Sequence, residues 1–327
     1  TDDVISDVLV HRNNAIDIYN NSWGPTGFLY GPNEFPMSFS ALRDGVENGR
    51  QGLGNIYVFA AGNGRAYEDN VNYNGWANSR YTIAVAALDH NGEASWYSTP
   101  GASLLVAGYS SGDVVGITTT DRTGEDGYNA TGTDEEWGPD PLEDIDYTST
   151  FGGTSSASPL VSGVIGLMLE ANEAAHPEDQ FPDYPGLTYR DVQHILVETA
   201  RFTDPGSAWE VNAAGYNVSY DYGFGAIDAE AAVQAAIEWV PVDEEISLSG
   251  SQAVNQTVPD DNSTGVTSSI TLDNTVGNIE WVEVNFDADH AYPGDLEVVL
   301  TSPSGTESVL ARTNSYTDPF AGFRYNP

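Results

Sequence analysis

The sequence predicts an α/β fold in which helices flank a parallel sheet, followed by a smaller all-β unit. From about residue 40 to residue 240, short apolar runs alternate with longer segments of helical periodicity, which is typical of βα units around a parallel sheet. Beyond residue 242 the helical periodicity ends, and Ser, Asn, Thr, Asp and Gln dominate as far as residue 267. The chain therefore divides into two predicted domains, residues 1–242 and residues 243–327.

Two apolar segments predict central strands of the sheet, at residues 55–61 (NIYVFAA) and 81–87 (YTIAVAA). Both are dense in β-branched and aromatic residues, as strands buried on both faces are. Helical periodicity predicts helices at residues 38–48, 155–172, 188–200 and 228–239. Thr188 and Asp228 stand directly before apolar residues of helical spacing, so they are predicted N-caps.

The second unit predicts short strands separated by turns, at residues 279–286, 296–301 and 308–311. Two acidic stretches, residues 121–146 and 173–185, interrupt the first unit and are predicted to be surface loops.

Charge is the most unusual feature of the composition. The 327 residues contain 49 Asp and Glu but only 10 basic residues, all of them Arg, for a formal net charge of −39. Such a chain repels nucleic acid and anionic lipid and attracts cations and cationic peptides, so we expect no nucleic-acid partner. Salt adaptation is the other interpretation, because a dense carboxylate surface keeps a protein hydrated in brine. The absence of Cys excludes disulfides, thiol catalysis and zinc–thiolate sites.

The first residues of the sequence show no signal peptide. The first residues lack a basic and apolar leader, and the longest apolar stretch, residues 157–169, is too short and too interrupted to span a bilayer. We expect no membrane segment in these residues. Both ends fall within patterned sequence, so we expect a fragment. The sequence indicates no oligomeric state.

The segment FGGTSSASP at residues 151–159 stands directly before a predicted helix. A glycine-rich turn there would expose the Ser155 hydroxyl, and the first turn of a helix offers free N–H groups to a developing oxyanion. Ser, Thr and Gly are equally common in an ordinary helix N-cap, so this segment alone leaves both interpretations open.

One further segment ends a predicted central strand, and another ends an apolar run. In FAAGNG, the Asn63 amide could donate to an oxyanion, and the small residues before it leave room for a substrate side chain. Alone, Gly-Asn-Gly is simply a turn. The segment Asn21-Ser22-Trp23-Gly24-Pro25 follows the apolar run AIDIY and could offer its backbone to an extended peptide.

Taken in chain order, these segments resemble the subtilisin-like serine proteases, and within them the kexin and furin branch of the proprotein convertases. NSRYTIAVAALD, LTYRDVQHIL and YGFGAIDA also resemble that branch, and the resemblance runs from about Ile16 to the end. In the second unit, Gly294-Asp295-Leu296 and SPSGT resemble the P (Homo B) domain of this family. The resemblance implies a subtilisin-like catalytic domain and part of a jelly-roll or β-sandwich P domain.

Carried over by residue, the resemblance implies a serine endopeptidase in which Ser155 is the nucleophile and Asn63 holds the oxyanion. In kexin-like enzymes, acidic residues line the S1 pocket, which receives the substrate residue before the scissile bond (P1). The matching positions here are Gly27 and Asn74, so we do not expect a strict dibasic rule. The resemblance implies that two segments hold the substrate backbone around this pocket: Ser22, Trp23 and Gly24, and Ala60, Ala61 and Gly62.

The resemblance also implies a secreted, extracellular or periplasmic enzyme that acts on peptides or proteins, uses no organic cofactor and binds structural calcium. Asp69 matches a calcium ligand of the family. Its partner positions, Gly27 and Thr99, cannot supply carboxylates, so we expect a weak or empty site. The carboxylates of residues 121–146 lack the spacing of an EF-hand loop and are predicted to be solvated.

The family's catalytic triad runs Asp, His, Ser, and its first two members precede the Ser-Trp-Gly-Pro segment. His11 is the one histidine before that segment, and its context lacks the family's His-Gly-Thr helix start. We therefore expect that the N-terminal part with the catalytic Asp and His is missing and that the chain alone is inactive. The competing hypothesis is a non-catalytic homologue that binds peptides. An esterase of the α/β-hydrolase type is excluded, because Gly153-Thr154-Ser155-Ser156-Ala157 is not a Gly-x-Ser-x-Gly elbow.

Overall fold

The computed structural model describes residues 1–24, 31–113, 115–130, 140–177, 179–259, 261–272, 279–288, 290 and 293–313. Within these ranges the α-helices are α1 (Asp2–Leu9), α2 (Pro36–Asn48), α3 (Thr154–Ala175), α4 (Tyr189–Thr199) and α5 (Ala229–Ile237). The strands are β1 (Ile18–Asn21), β2 (Ile56–Ala60), β3 (Thr82–Leu88), β4 (Leu104–Tyr109), β5 (Ile117–Thr120), β6 (Tyr147–Phe151), β7 (Glu210–Val211), β8 (Asn217–Val218), β9 (Val298–Thr301) and β10 (Glu307–Ala311).

Strands β1, β2, β3 and β4 form a parallel sheet in that order. Along β2, Ile56 and Val58 belong to the core on one face, while Tyr57 and Phe59 belong to the core on the other. Successive side chains of a strand alternate between faces, so a strand covered on both sides is apolar throughout. Helices α3, α4 and α5 pack on the first face, and α1 and α2 on the second. The predicted α/β fold with a parallel sheet flanked by helices is confirmed.

The predicted central strands and helices are present, with bounds close to those predicted. Thr188 Oγ1 accepts a hydrogen bond from the Asp191 N–H at 3.1 Å, and the Asp191 carboxylate accepts one from the Thr188 N–H at 2.8 Å. This reciprocal pair is the capping box of α4. Asp228 caps α5 by accepting from the Ala231 N–H at 3.0 Å. Both predicted N-caps are confirmed.

The second unit contains less regular structure than its sequence predicts. Strands β9 and β10 pair antiparallel, as expected for the predicted strands at 296–301 and 308–311. Residues 279–286 are not in a strand, so that prediction is wrong. Ile279 is 72% exposed and Val282 53% exposed, and no described strand pairs with this segment. A strand needs such a partner to satisfy its backbone and cover its apolar face.

Pattern analysis missed α1, β4 and the antiparallel pair β5–β6, whose strands flank the acidic stretch 121–146. A short apolar run such as that of β4 cannot be assigned by periodicity alone. The described part of the acidic stretch is loop apart from a short 3₁₀ turn at Gly124–Asp126, while residues 131–139 lie outside the described residues.

Residues of the second unit contact the first. The Val309 N–H donates to the Tyr220 hydroxyl at 2.8 Å, and the Tyr73 hydroxyl donates to the Arg312 carbonyl at 3.0 Å. Arg190 of α4 pairs with Glu280. A domain boundary between residues 242 and 243 remains a prediction. Among the described residues, no helix combines the length and the apolar character needed to cross a membrane.

We expect the unfolding temperature to rise when NaCl is raised from about 0.1 M to about 1 M. The net charge of −39 makes the folded chain repel itself, and the Debye length falls from ~10 Å to ~3 Å over this range. Each kcal/mol of repulsion removed corresponds to about 2–4 °C. Thermal unfolding followed by circular dichroism measures the effect, and sucrose at matched osmolality separates charge screening from solute exclusion. A midpoint that stays flat or falls with NaCl contradicts the expectation.

Candidate active site

Ser155 is the second residue of α3, and its side chain is partly exposed. The turn before it depends on Gly153, which has a φ of +76°. A side chain at Gly153 would also place its Cβ 3.0 Å from Asn63 Nδ2. Glycine is therefore required there on two counts. As the second residue of the helix, Ser155 has an N–H without an intrahelical acceptor, so that group is available to a ligand.

The Asn63 side chain is held against the start of α3. Its Oδ1 accepts hydrogen bonds from the Thr154 N–H at 2.9 Å and from Thr154 Oγ1 at 3.0 Å. Because Gly153 has no side chain to cap the helix, the Asn63 amide oxygen takes that role from outside. The amide Nδ2 therefore points away from Thr154, beside the turn that precedes Ser155. Asn63 is exposed, so this donor is open to a ligand.

Sequence reasoning missed Thr154, although its place between Gly153 and Ser155 was a signal. Its Oγ1 accepts from the Gly62 N–H at 3.1 Å while donating to Asn63. Thr154 is almost fully buried and joins the glycine turn after β2 to the first turn of α3.

Ser22 is bonded to Ser155 on the other side of the site. Ser22 Oγ donates to the Ser155 carbonyl at 2.8 Å. In a regular helix that carbonyl would accept from the N–H of residue 159, but Pro159 has none. Ser22 therefore supplies the missing donor. The Ser155 hydroxyl donates to the Ser22 carbonyl at 3.4 Å, a long hydrogen bond that leaves Oγ near the mouth of the site.

The segments 22–24 and 60–62 end neighbouring parallel strands, so they meet at one edge of the sheet. The β1–β2 ladder ends at the pair Asn21–Phe59, and no described backbone hydrogen bond joins the two segments beyond it. Trp23 packs edge-on against Phe59, with ring centroids 5.7 Å apart. In the segment 60–62, the Ala61 N–H still donates to the Val85 carbonyl at 3.0 Å and the Gly62 N–H to Thr154 Oγ1 at 3.1 Å. Pairing with an extended peptide therefore falls mainly to the backbone of the segment 22–24. The tertiary structure thus brings both predicted substrate segments beside Ser155.

Most of the chain matches a known protein family. Residues 1–225 match the subtilase family. The chain belongs to the subtilase family. Residues 279–325 match the proprotein convertase P-domain, in agreement with the predicted nature of the second unit.

Known relatives of this subtilase chain include proprotein convertases. Human proprotein convertase subtilisin/kexin type 6 is 37% identical over 324 residues, which cover 95% of this chain and 30% of that protein. The dibasic-processing endoprotease of Schizosaccharomyces pombe is 34% identical over 339 residues, covering 99% of this chain and 43% of that protein. The crystal structure of a serine protease of Aeromonas sobria matches with a TM-score of 0.75 at 26% identity, covering 92% of this chain and 57% of that one. This chain spans less than half the length of either curated relative.

No histidine in the described part of this subtilase chain bonds to Ser155. His194 Nε2 lies 3.1 Å from a Glu280 oxygen. His176 stacks on Tyr184 with ring centroids 4.0 Å apart. His11 and His90 are exposed, and His290 lies in the second unit.

Asn74 lies beside Gly24 of the segment 22–24. Its Oδ1 accepts from the backbone N–H of Trp76 at 3.1 Å and of Ala77 at 3.4 Å. Its Nδ2 lies 3.4 Å from the position that a Cβ on Gly24 would take. Asn74 therefore faces the segment that bonds to Ser155, and its place in an S1 pocket remains a prediction. Gly27, the other position compared with acidic residues of the family, lies outside the described residues.

Asp69 lies in the loop that follows Asn63 and is partly buried. Its carboxylate accepts from the Asn70 N–H at 2.8 Å, and burial raises its pKa from 3.8 to about 6. Thr99 Oγ1 already accepts from the Gly64 N–H at 2.8 Å. One carboxylate does not fit calcium, which takes about six to eight oxygen ligands. Among the described residues, no group of three or more His, Asp or Glu side chains could hold a metal.

Several carboxylates of the acidic stretch 121–146 accept hydrogen bonds from the loop or the strand beside it, among them Asp121 and Asp140. Asp121 accepts from the N–H groups of Arg122 and Asn129, both at 2.8 Å. Asp140 accepts from the Ser149 N–H at 2.8 Å and from Thr148 Oγ1 at 2.7 Å. These hydrogen bonds lower the pKa of both carboxyls against the opposing effect of desolvation. The two side chains therefore organise the loop itself.

In calcium-free buffer, we expect Asp69→Asn to stabilise the fold at about pH 7.5 by on the order of 2 kcal/mol. The folded pKa of about 6 exceeds the ordinary 3.8, so the folded state holds a costly charge above pH 6. This destabilisation is relieved as the pH falls through the folded pKa and is absent below the unfolded value. The gain from the substitution should therefore vanish near about pH 4.

Urea unfolding across this pH range measures the gain from Asp69→Asn. Asp7→Asn, which removes an exposed charge, is the control and should change stability much less. No gain in the free energy of unfolding at about pH 7.5, or a gain that persists near about pH 4, would contradict this expectation. A separate rise in unfolding temperature with calcium that Asp69→Asn abolishes would show that Asp69 binds the metal.

Proposed function

We propose that this chain carries the nucleophile and the substrate groove of a kexin-like serine endopeptidase that hydrolyses peptide bonds in proteins or proproteins. The observation that supports it most directly is the joint placement of Ser155 and Asn63. The amide of Asn63 is anchored by two hydrogen bonds to Thr154, the residue next to Ser155. This arrangement sets a side-chain donor and a free helix N–H on the same side of the nucleophile.

The reaction begins when Ser155 Oγ attacks the scissile carbonyl. The carbonyl oxygen becomes negative, and Asn63 Nδ2 and the Ser155 N–H donate to it. The positive end of the α3 dipole adds to this stabilisation. Because Thr154 holds Asn63 before substrate binds, little reorganisation is needed when the charge develops.

Attack also requires a base that removes the Ser155 proton. In the described structure that proton points to the Ser22 carbonyl, which cannot accept it permanently. Catalysis therefore needs a histidine, oriented by an aspartate, and the described part of the chain places none beside Ser155.

The segments 22–24 and 60–62 hold the substrate backbone, and Asn74 beside Gly24 lines the pocket for the P1 side chain. One relative is named as a dibasic-processing endoprotease. Asn74 carries no charge, so we expect that strict rule not to transfer. The net charge of −39 still raises the local concentration of cationic peptides.

The proposal extends to the location and ligands of the enzyme. We place it outside the cytoplasm, secreted or periplasmic, as its resemblance to kexin-like enzymes implies. Peptide or protein is the partner, and no organic cofactor is needed, because serine chemistry is complete with side chains alone. Any structural calcium would need ligands besides Asp69.

The deciding experiment measures hydrolysis of a fluorogenic peptide by a form of the protein that carries the base, before and after Ser155→Ala. If Ser155→Ala leaves hydrolysis unchanged, the proposal is wrong.

A further inference from the structure

The orientation of the Asn74 amide is set by its neighbours. Two backbone N–H groups, those of Trp76 and Ala77, donate to Oδ1. An amide has one acceptor end and one donor end, and a flip would turn the Nδ2 protons against these two N–H donors. Nδ2 therefore faces away from them, toward Gly24.

The loop that carries Asn74 is firmly packed. Trp76, which supplies one of the two N–H donors, is 1% exposed. Its ring contacts Phe35 at a centroid distance of 4.7 Å and Trp23 at 5.5 Å. Trp23 and Gly24 are neighbours in the chain, so the same aromatic cluster holds both the loop and the segment that it faces. The donor end of Asn74 is thus fixed relative to Gly24.

Asn74 Nδ2 lies beside the open space at Gly24. Gly24 has no side chain, and no described residue accepts a hydrogen bond from Nδ2. Two residues earlier, the Ser22 carbonyl lies 3.4 Å from Ser155 Oγ. A substrate side chain entering beside Gly24 would therefore meet an N–H donor that has no other partner among the described residues.

We infer that Asn74 makes this site select a neutral P1 side chain that carries a hydrogen-bond acceptor, such as glutamine or asparagine, over arginine or lysine. This inference rests on the proposed function. The guanidinium group of arginine and the ammonium group of lysine contain only donors. Placed opposite Asn74 Nδ2, such a group cannot accept its hydrogen bond, so donors of the substrate and of Asn74 both stay unpaired. A carboxylate at P1 could accept from Nδ2, but the net charge of −39 repels it. A neutral amide side chain satisfies the hydrogen bond without that repulsion.

Two product-like peptides of identical composition test the inference without the need for turnover. Both are labelled pentapeptides with three alanines in the middle. One begins with arginine and ends with glutamine, and the other begins with glutamine and ends with arginine. Their net charge is the same, so the general attraction of the acidic protein for cations cancels. The terminal carboxylate should occupy the donors Asn63 Nδ2 and Ser155 N–H, which sets the last residue at P1. Binding to residues 1–327 is measured by fluorescence anisotropy in about 1 M NaCl.

We expect the glutamine-terminated peptide to bind about tenfold more tightly than the arginine-terminated one. Asn74→Asp keeps an oxygen for Trp76 and Ala77 and replaces Nδ2 by an acceptor, so it should reverse this order. Asn72→Asp is the matched control. It adds the same charge two residues away from position 74. It also keeps an oxygen that can accept the hydrogen bond that Ser103 N–H now donates to Asn72 Oδ1 at 3.0 Å. We expect Asn72→Asp to leave the order unchanged.

Asn63→Ala separates this inference from the proposed function on which it rests. If neither peptide binds, or if Asn63→Ala leaves both affinities unchanged, the groove itself is wrongly assigned and both proposals fall. If binding depends on Asn63 but the arginine-terminated peptide binds as well or better, the assignment of Asn74 is overturned and the proposed function stands. The assignment of Asn74 is also overturned if Asn72→Asp shifts the preference as much as Asn74→Asp does.

Discussion

Ser155→Ala is expected to lower peptide hydrolysis by on the order of 10⁶ in a form of the protein that carries the triad's histidine and aspartate. Loss of the serine or the histidine of a subtilisin triad has an effect of this size, because the serine attacks only when the histidine removes its proton. The Ser158 hydroxyl, one turn further along the helix, could not replace Ser155, since it is fully buried and bonded to Ser22 Oγ at 2.9 Å. Steady-state hydrolysis of a fluorogenic peptide measures the loss.

Ser162→Ala is the matched control for Ser155→Ala. Ser162 lies two turns further along α3, where its hydroxyl donates to Asn20 Oδ1 and to the Ser158 carbonyl. No described hydrogen bond joins Ser162 to Ser155, Asn63 or the segment 22–24, so we expect turnover to be retained. Residues 1–327 alone should match the background of Ser155→Ala, because no described histidine reaches Ser155. Hydrolysis by residues 1–327 that Ser155→Ala abolishes would show that a base within them had been overlooked.

Asn63→Ala is expected to lower kcat by about 10²–10³ in the same form of the protein, with a much smaller change in KM. The Nδ2 donor acts on a charge that exists only in the transition state and its intermediate, so its loss does not weaken binding of the uncharged substrate. Single-turnover and steady-state hydrolysis of one peptide series separate the two parameters.

Asn63→Asp distinguishes the donor from the structural role of Asn63. Aspartate keeps an oxygen for the Thr154 N–H and hydroxyl but has no donor for the oxyanion. We therefore expect Asn63→Asp to lower kcat at least as much as Asn63→Ala while keeping an unfolding temperature close to that of the unsubstituted protein. Full activity in Asn63→Asp would contradict the proposed role.

Much of the first unit could be read from local pattern. The segments at 55–61 and 81–87 are apolar at nearly every position because the sheet is covered on both faces, and few other structures bury so many consecutive side chains. Thr188 and Asp228 were recognisable as caps because their acceptor oxygens act on N–H groups three residues away. Such short-range chemistry needs no knowledge of the rest of the fold.

Elements whose stability depends on distant partners could not be read in this way. The segment 279–286 alternates like a strand, yet a strand forms only where another strand pairs with it, and none of the described strands does. Conversely, β5 and β6 pair on either side of the acidic stretch. Their partners Thr120 and Tyr147 are 27 positions apart in the sequence, so no local pattern indicates the pairing.

In the candidate site, too, some features follow from local sequence and others depend on residues far away in the chain. The sequence by itself determined the chemical groups and their order along the chain: a serine after a glycine turn and an asparagine at the end of a strand. The role expected for Asn74 came only from the resemblance to kexin-like enzymes. Only the tertiary structure decided which end of each amide is held by the protein and which end is left open. Asn63 is oriented by Thr154, 91 residues later, and the Ser155 carbonyl is satisfied by Ser22, 133 residues earlier. Hydrogen-bond direction depends on the partner that a group meets in space, and spacing along the chain does not specify that partner.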